Sequence, residues 1–530
     1  MKLMGLHMRT GALRGGLIVS IAALTCLGAS LGARAQTSGA PTIVLPAQPD
    51  VMIDLGAIAA PAKPADAPPP AAVAPKAPAA AQAPVAPPPP LAQSNIVPAS
   101  DVQTALAERA ARARAEPVVR GTGVALAKQR GAVADFYAAR GYQPLWTDGG
   151  AWTPAAQSAL ARLALASEDG LDLRATPPPP TAGDTTADLA TADFSLSLAV
   201  ANYAWQASGG RVDPKTIDRL IDERPSIADT AAILTYVPAS LDAGETLRSA
   251  NPPQPGYAAL RDALAALRRG DILPEAGKSA TDLENEVLAN MERWRWAART
   301  QTTDQIEVNI PDFTVKVTLG GVVVHRARVV VGKPDTPTPV FSNSMQFLEV
   351  NPYWNVPQSI IQKEMMPKLA KDPDYLRRLG YEVATSSNGK LTVRQPPGER
   401  NALGRIKFMF PNDHAVYLHD TPQRGYFNAA KRDYSHGCVR VDDPFKFAEI
   451  VLGSGSGWSE ARIKKLIGGK NQTIQLPRHI DIHIEYFTAF IDEGGALRAR
   501  EDIYGISRKV RAALGLASEV VRAPSRRTTL

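Results

Sequence analysis

Gln305-Ile306-Glu307-Val308-Asn309-Ile310-Pro311-Asp312-Phe313-Thr314-Val315-Lys316-Val317-Thr318-Leu319-Gly320-Gly321 is the stretch on which the fold class turns. Apolar and polar residues alternate through Ile306 to Ile310 and again through Phe313 to Leu319, the period of a half-buried strand. Gly320-Gly321 supplies a two-residue turn, and Val322 to Val331 returns as the second arm of a hairpin. Further strands are expected at Met345 to Asn351, Lys407 to Phe410, Ala415 to His419 and Ile480 to Ile491, with Arg498 to Tyr504 closing the region. Short helices fit between them, at Gln358 to Leu369 and Asp443 to Val451.

Upstream of Gln305 the period is that of a helix. Val133, Phe136 and Tyr137 recur at spacings of three and four, and Thr153-Pro154 reads as a cap and first-turn proline for a helix through Leu163. Leu189 to Ala207, Leu260 to Leu267 and Leu283 to Trp296 continue the style. Phe136, Tyr137, Trp146, Tyr203, Trp205, Trp294 and Trp296 read as packing anchors, with sugar-ring binding by exposed aromatics as the sharper alternative. The fold class is therefore α+β, an all-helical N-terminal domain followed by a β-sandwich-like domain with short helices.

The N-terminus has the pattern of an export signal. Lys2, Arg9 and Arg14 precede the apolar run Leu17 to Leu27, and Ala33-Arg34-Ala35 offers a small-x-small cleavage site. Retention as a membrane anchor and lipidation at Cys26 are the alternatives. Between Pro61 and Pro90, 24 of 30 residues are Ala or Pro, too little to bury and biased to extended polyproline II. The expected organisation is a signal peptide over 1–35, an Ala/Pro-rich disordered linker over 36–100, a helical domain over 101–300, a β-rich domain over 301–506 and a basic tail over 507–530. Loss of 1–35 removes Lys2, Arg9, Arg14 and Arg34, so the formal charge falls from +7 to +3 (7 − 4). That balance argues against nucleic acid as a partner. It also removes one of the two cysteines, leaving Cys438 with no intramolecular disulfide partner.

Cys438 lies in Tyr434-Ser435-His436-Gly437-Cys438-Val439-Arg440. A thiol is mostly protonated at neutral pH, so a nucleophilic cysteine needs a base or cation beside it. His436 is two residues away, on the same face if the segment is extended. His419, 19 residues upstream (438 − 419), ends an expected strand and can reach the sulfur from a neighbouring strand; it is taken as general base. Asp420, by carboxylate or by backbone carbonyl, is the candidate orienter of its ring. The N–H groups of Gly437 and Cys438 are candidates for an oxyanion hole. Arg440 can grip a carboxylate through its fork. A zinc reading would need a third ligand such as His414 and lacks any short His-rich signature, so no metal or other cofactor is expected.

These residues resemble the signature of the L,D-transpeptidase catalytic domain, the YkuD type, in which a histidine precedes a Ser/Thr-His-Gly-Cys-x-Asn/Arg box by a similar interval. Asn351-Pro352-Tyr353-Trp354-Asn355-Val356-Pro357, Ile482 to Thr488 and Phe136 to Trp146 resemble the large periplasmic branch with a helical scaffold domain. A peptidoglycan-binding module common in that branch has no room between Leu264 and Trp296. The resemblance implies a periplasmic enzyme of wall cross-linking and cell shape that acts on peptidoglycan stem peptides. Cys438 would be nucleophile, His419 base and then acid, and His436, Gly437 and Cys438 the oxyanion pocket. Arg440, Ser435, Asp420, Tyr417 and Trp354 would bind substrate, and 353–400 would form a lid in which Trp354, Met365 and Met366 give apolar contacts. The bond after the third stem residue would be cut with loss of D-alanine, and the thioester passed to an amine to give 3-3 cross-links. Hydrolysis, transfer to or release of an outer-membrane protein, and a non-enzymatic wall-binding role are the alternatives. Carbapenem-type β-lactams would be covalent inhibitors.

Overall fold

The structure, a computed structural model, describes residues 99–118, 122–274, 279–299, 302–385 and 389–516. The expected signal peptide, nearly all of the Ala/Pro-rich linker, Cys26 and the end of the basic tail lie outside these residues. Everything below belongs to one compact unit within Pro90–Leu530.

The helical region runs α1 (Ala99–Ala115), α2 (Thr122–Ala139), α3 (Pro154–Ala164), α4 (Thr186–Gly209), α5 (Pro214–Ile217), α6 (Thr230–Ala239), α7 (Ala243–Arg248), α8 (Pro255–Arg269) and α9 (Ala280–Trp296), with the two-residue strands β1 (Thr147–Asp148) and β2 (Ala151–Trp152) before α3. Local chemistry sets the ends: Thr153 caps α3 by accepting the Ala156 N–H at 3.1 Å, and Pro154 needs no hydrogen bond at the first position. α4 is buried along nearly its whole length and is the axis of the bundle. Tyr137, Trp146, Tyr203 and Trp296 are buried anchors, as expected, whereas Phe136, Trp205 and Trp294 are half-buried. Asp193 on α4 is fully buried; its carboxylate accepts the Trp146 and Thr147 N–H groups at 2.8 and 2.9 Å and the Tyr137 hydroxyl at 2.5 Å. Four or more donors on one carboxylate meet its desolvation cost.

The β-region comprises β3 (Gln305–Asn309), β4 (Thr314–Leu319), β5 (Val322–Gly332), β6 (Phe341–Val350), β7 (Trp354–Asn355), β8 (Glu382–Thr385), β9 (Leu391–Gln395), β10 (Ile406–Met409), β11 (Leu418–His419), β12 (Asp433–Ser435), β13 (Val439–Val441), β14 (Gln472–Glu485), β15 (Ala489–Ile491) and β16 (Leu497–Ala499). The main sheet has the order β12-β5-β13-β11-β10-β6-β14-β3-β4, and β4 pairs again with β5. The sandwich-like layering is thus one closed ring of every strand in that sheet except β12. Alternate residues point inward: Ile306, Val308, Val315, Val317, Leu348, Phe408, Leu418, Val439, Ile482 and Ile484 share one core. Each such side chain contributes roughly 1.5–3 kcal/mol by burial. Helix α13 (Pro444–Leu452), followed by the short α14 (Glu460–Lys464), lays Phe447, Ala448, Val451 and Leu452 on that core, with Phe447 edge-on to Phe408 at 4.8 Å between ring centroids.

Two expected boundaries shift. Ala289 and Trp296 of α9 belong to the core of the ring, and Trp294 stacks on Phe487 at 4.3 Å. The helix expected to end the scaffold is therefore also a wall of the β-region. The tail expected from 507 begins inside α15 (Ile506–Ala513), whose Ile506 and Val510 are fully buried in the same core. Its arginines and lysine made it read as solvated; its apolar stripe decides otherwise.

Residues 353–400 stand as a separate layer: the small sheet β7-β9-β8, α10 (Gln358–Ile360), a π-helical turn over Ile361–Met365, α11 (Met366–Leu369) and α12 (Tyr375–Arg378). Trp354 and Met365 pack inward with Val356, Ile361, Leu376 and Val393, whereas Met366 is exposed. Two buried asparagines pin its stems. Asn351, at φ +53°, donates to the Leu466 carbonyl at 2.7 Å, and Asn401 donates to the Pro352 carbonyl at 3.0 Å.

Candidate active site

Strand pairing assembles the site. β11 runs parallel to β13 with Leu418 opposite Val439 and His419 opposite Arg440. Leu418 and Val439 point into the core, so side-chain alternation turns Tyr417 and His419, and Cys438 and Arg440, to the outer face. β10 adds Lys407 opposite His419, and β6 adds Glu349 opposite Lys407. One row of the outer face therefore reads Glu349, Lys407, His419, Arg440 across four strands, with Tyr417 and Cys438 in the next row.

His419 is 4% exposed. Its Nδ1 lies 2.5 Å from the Asp420 carbonyl oxygen. A carbonyl only accepts, so Nδ1 carries the proton and Nε2 keeps a lone pair. Of the two orienters expected at Asp420, the backbone carbonyl is the one in place. Burial, and then the Arg440 and Lys407 cations, push the imidazole down to about 3 against the carbonyls of Asp420 and Leu403, which favour the protonated ring. The ring is therefore neutral at physiological pH.

Cys438 is half-buried and unpaired. Burial pushes its thiol up, while the Tyr417 main-chain N–H, Lys407 and Arg440 act in the opposite direction. Its Sγ faces the Ala415 carbonyl at 3.9 Å. Neutral thiol beside neutral imidazole is thus the resting state, not a preformed ion pair.

Gly437, at φ +113°, takes a backbone conformation that disfavours a side chain. The structure departs from the expected two-donor oxyanion hole, because the Gly437 N–H donates to Ser435 Oγ at 3.1 Å. Ser435, 2% exposed, also donates to the Cys438 carbonyl at 2.5 Å. It braces the loop and does not face substrate, so its expected binding role is replaced by a structural one. Among the described residues the Cys438 N–H makes no hydrogen bond and is a main-chain donor left for substrate.

Three further expectations are corrected. The Asp420 carboxylate is buried and accepts the Arg405 N–H at 2.8 Å, turned away from the cysteine. The Trp354 ring packs in the cluster of the 353–400 layer. His436 points away from the sulfur, its Nε2 2.6 Å from the Glu364 carboxylate of that layer. Tyr417 does share the outer face with Cys438, and Arg440 donates to Gln423 at 2.7 Å with its guanidinium over the Tyr426 ring.

Sequence reasoning missed the supports. Thr338 donates to the Gly437 carbonyl at 2.8 Å and accepts the Gly332 N–H at 2.9 Å, and the Tyr504 hydroxyl donates to the Gly332 carbonyl at 2.5 Å. A Cβ on Gly332 would meet the Thr336 carbonyl oxygen at 2.3 Å, so only glycine fits there. Lys407 was also missed, hidden as one polar residue of an alternating strand. Among the described residues no group of three or more His, Cys, Asp or Glu is placed to hold a metal ion, and no helix is long and apolar enough to cross a membrane.

Residues 303–465 match the L,D-transpeptidase catalytic domain, YkuD, and residues 131–264 match the Scaffold domain. A Haemophilus influenzae protein named "Putative L,D-transpeptidase" is 34% identical over 226 residues, which cover 39% of this chain and 45% of the relative. The chain thus spans less than half the length of that relative. Among solved structures, the L,D-transpeptidase from Mycobacterium smegmatis is 14% identical with a TM-score of 0.19, covering 34% of this chain and 58% of the other. The ertapenem-acylated catalytic domain of the E. faecium L,D-transpeptidase is 15% identical with a TM-score of 0.16, covering 33% and 98%. Two stretches of the chain are thus similar to domains found in L,D-transpeptidases, 303–465 to the YkuD catalytic domain and 131–264 to the Scaffold domain.

Proposed function

We propose that the protein is an exported, cysteine-dependent L,D-transpeptidase that acts on peptidoglycan stem peptides. The observation that supports this reading is the pairing of β11 with β13, in which His419 stands opposite Arg440 and Cys438 immediately precedes Val439, the partner of Leu418. As the sulfur attacks the carbonyl of the third stem residue, its proton passes to Nε2 of His419, the nitrogen left free by the Nδ1 contact. The carbonyl oxygen gathers charge and takes the Cys438 N–H. The C–N bond breaks, His419 returns the proton to the departing D-alanine amine, and a thioester on Cys438 remains. An amine of a second stem then attacks the thioester, gives its proton to His419, and the thiol is restored with a 3-3 cross-link made. Arg440 holds a carboxylate of the stem, and the 353–400 layer acts as the lid that excludes water in favour of the amine.

The export signal and polyproline-rich spacer of the sequence support a periplasmic site of action, with the lead segment either cleaved or kept as an anchor. The decisive experiment is incubation of purified protein with tetrapeptide-stem muropeptides, read by product mass. Dimers lacking one D-alanine are expected, and Cys438→Ala is expected to lower their yield by more than about 1,000-fold. Monomeric tripeptides would instead identify a carboxypeptidase, and transfer to a protein amine an attachment enzyme. A carbapenem is expected to add its mass to the wild type and not to Cys438→Ala. Failure of both assays on folded protein would leave a wall-binding scaffold.

A further inference from the structure

The outer face carries two cations beside the cysteine, and they are not equivalent. Arg440 is already engaged: it donates to Gln423 and lies over Tyr426. Lys407 is not. Its ammonium stands 4.0 Å from the centroid of the Tyr417 ring and 4.0 Å from the nearest Glu349 carboxylate oxygen. That is beyond hydrogen-bond distance, and among the described residues no hydrogen bond to its Nζ is formed. Its side chain is nonetheless only 14% exposed. With Glu349 at the outer limit of an ion pair and the N–H donors unspent, this largely buried ammonium has capacity for a closer, hydrogen-bonded anion.

Position says where that anion would sit. Lys407 lies two strands from Cys438, about 10 Å backbone to backbone at ordinary strand spacing. The ammonium leans along Tyr417, which stands in the row of Cys438, and this shortens the gap. Lys407 is near enough to favour the thiolate of Cys438 over its thiol. A peptide whose carbonyl carbon rests on the sulfur extends its next residue by about 3.8 Å, Cα to Cα, which spans part of the distance toward Lys407. Glu349 behind the ammonium fixes its place without occupying its donors.

We propose that Lys407 binds the terminal α-carboxylate of the acyl donor. This rests on the transpeptidase reading above. It assigns to Lys407 substrate selection, distinct from the proton transfer of His419.

The test compares two synthetic tetrapeptide donors with the same third residue, one ending in D-alanine as the free acid and one as its amide. Wild type is expected to favour the acid by about 10- to 100-fold in kcat/KM, the range of a charge-assisted hydrogen bond. Lys407→Met keeps the length of the side chain without its charge and should cleave both donors at similar rates; Lys407→Arg should restore the preference. The rate of Cys438 alkylation by iodoacetamide and the melting temperature report on the thiol and the fold separately. Equal preference for the acid in wild type and Lys407→Met overturns the assignment, as does absence of any preference in wild type. So does a loss in Lys407→Met that is equal for both donors and matched by slower alkylation, which would make Lys407 a thiolate-stabilising cation only. Failure of folded wild type to cleave either donor overturns the transpeptidase reading, and this inference with it.

Discussion

The strand ring and the 353–400 layer hold their shapes in different ways. The ring draws its core from strands far apart in sequence, from α9 and from α15, and every side chain proposed to handle protons stands on it. The layer has a small core of its own, Val356, Ile361, Met365, Leu376 and Val393. It is pinned at Asn351 and Asn401 and meets the nucleophile loop through the His436–Glu364 pair. The difference separates two tasks. Register in the ring fixes which side chains share the outer face, while the layer can govern access without shifting that register.

The sharpest way to break this division is at the base. His419→Gln is expected to lower kcat for transfer by about 100- to 10,000-fold, the usual worth of a positioned general base, with an unchanged melting temperature. A loss of less than threefold, with His436→Gln now crippling, would move proton transfer from ring to loop. A smaller effect is expected at the contact between the two regions. Glu364→Gln removes the charge from an exposed pair worth about 1 kcal/mol or less. It should raise KM or the fraction of hydrolysed product by about two- to fivefold while leaving kcat and stability alone. A kcat falling as steeply as in His419→Gln would show that the layer takes part in the chemistry.

The smallest effect concerns the ring's stability. Burial raises the Glu223 carboxyl from 4.5 to about 7, against its hydrogen bond from Ser342 at 3.1 Å. A folded pKa above the unfolded one means that the folded state binds more protons between those values. The contribution is fully present below pH 4.5 and is lost as pH rises through 7. Burial raises the Glu485 carboxyl as well, with the same sign. The Glu223 share of stability, read by urea unfolding, should therefore fall by on the order of 1–2 kcal/mol between pH 5 and 8, allowing for partial solvent access, against an opposite contribution from the depressed His419 imidazole between pH 5 and 6.5. Glu223→Gln should flatten part of that slope. A slope that Glu223→Gln leaves unchanged would place the titration elsewhere.

Much of the ring was legible from alternation. Ile306 to Leu319 reads as two strands because each inward residue is apolar, and the structure forms both as β3 and β4. Closure through β4–β5 was not legible, because pairing partners far apart leave no periodic trace in one strand. The Cys438 box stood out because thiol, imidazole and glycine cluster in sequence. Its braces Thr338, Gly332 and Tyr504 lie a hundred residues before it or dozens after it, and only the fold brings them in. Ser435 and His436 were misplaced for the converse reason. Nearness in sequence suggested substrate contact, whereas the turn at Gly437 sends one side chain under the loop and the other toward Glu364. Lys407 carried no signal, since a lysine on an outward strand position is ordinary until its neighbours are known.

The parallel pairing of β11 with β13 has an evolutionary consequence. Parallel neighbours cannot be joined by a tight turn, so the chain must travel from Asp420 to Gly437 before it returns. That excursion bears Gln423, the Tyr426 and Tyr434 rings stacked at 4.8 Å, and the 3-10 turn Arg424–Asn428. The spacing between nucleophile and base is set by Leu418 against Val439 and not by the length of the excursion. Insertions, deletions and substitutions within its 3-10 turn, Arg424–Asn428, can remodel the surface around the reacting atoms while the reacting pair keeps its distance. Lineages can therefore drift in what they accept without first losing what they can do.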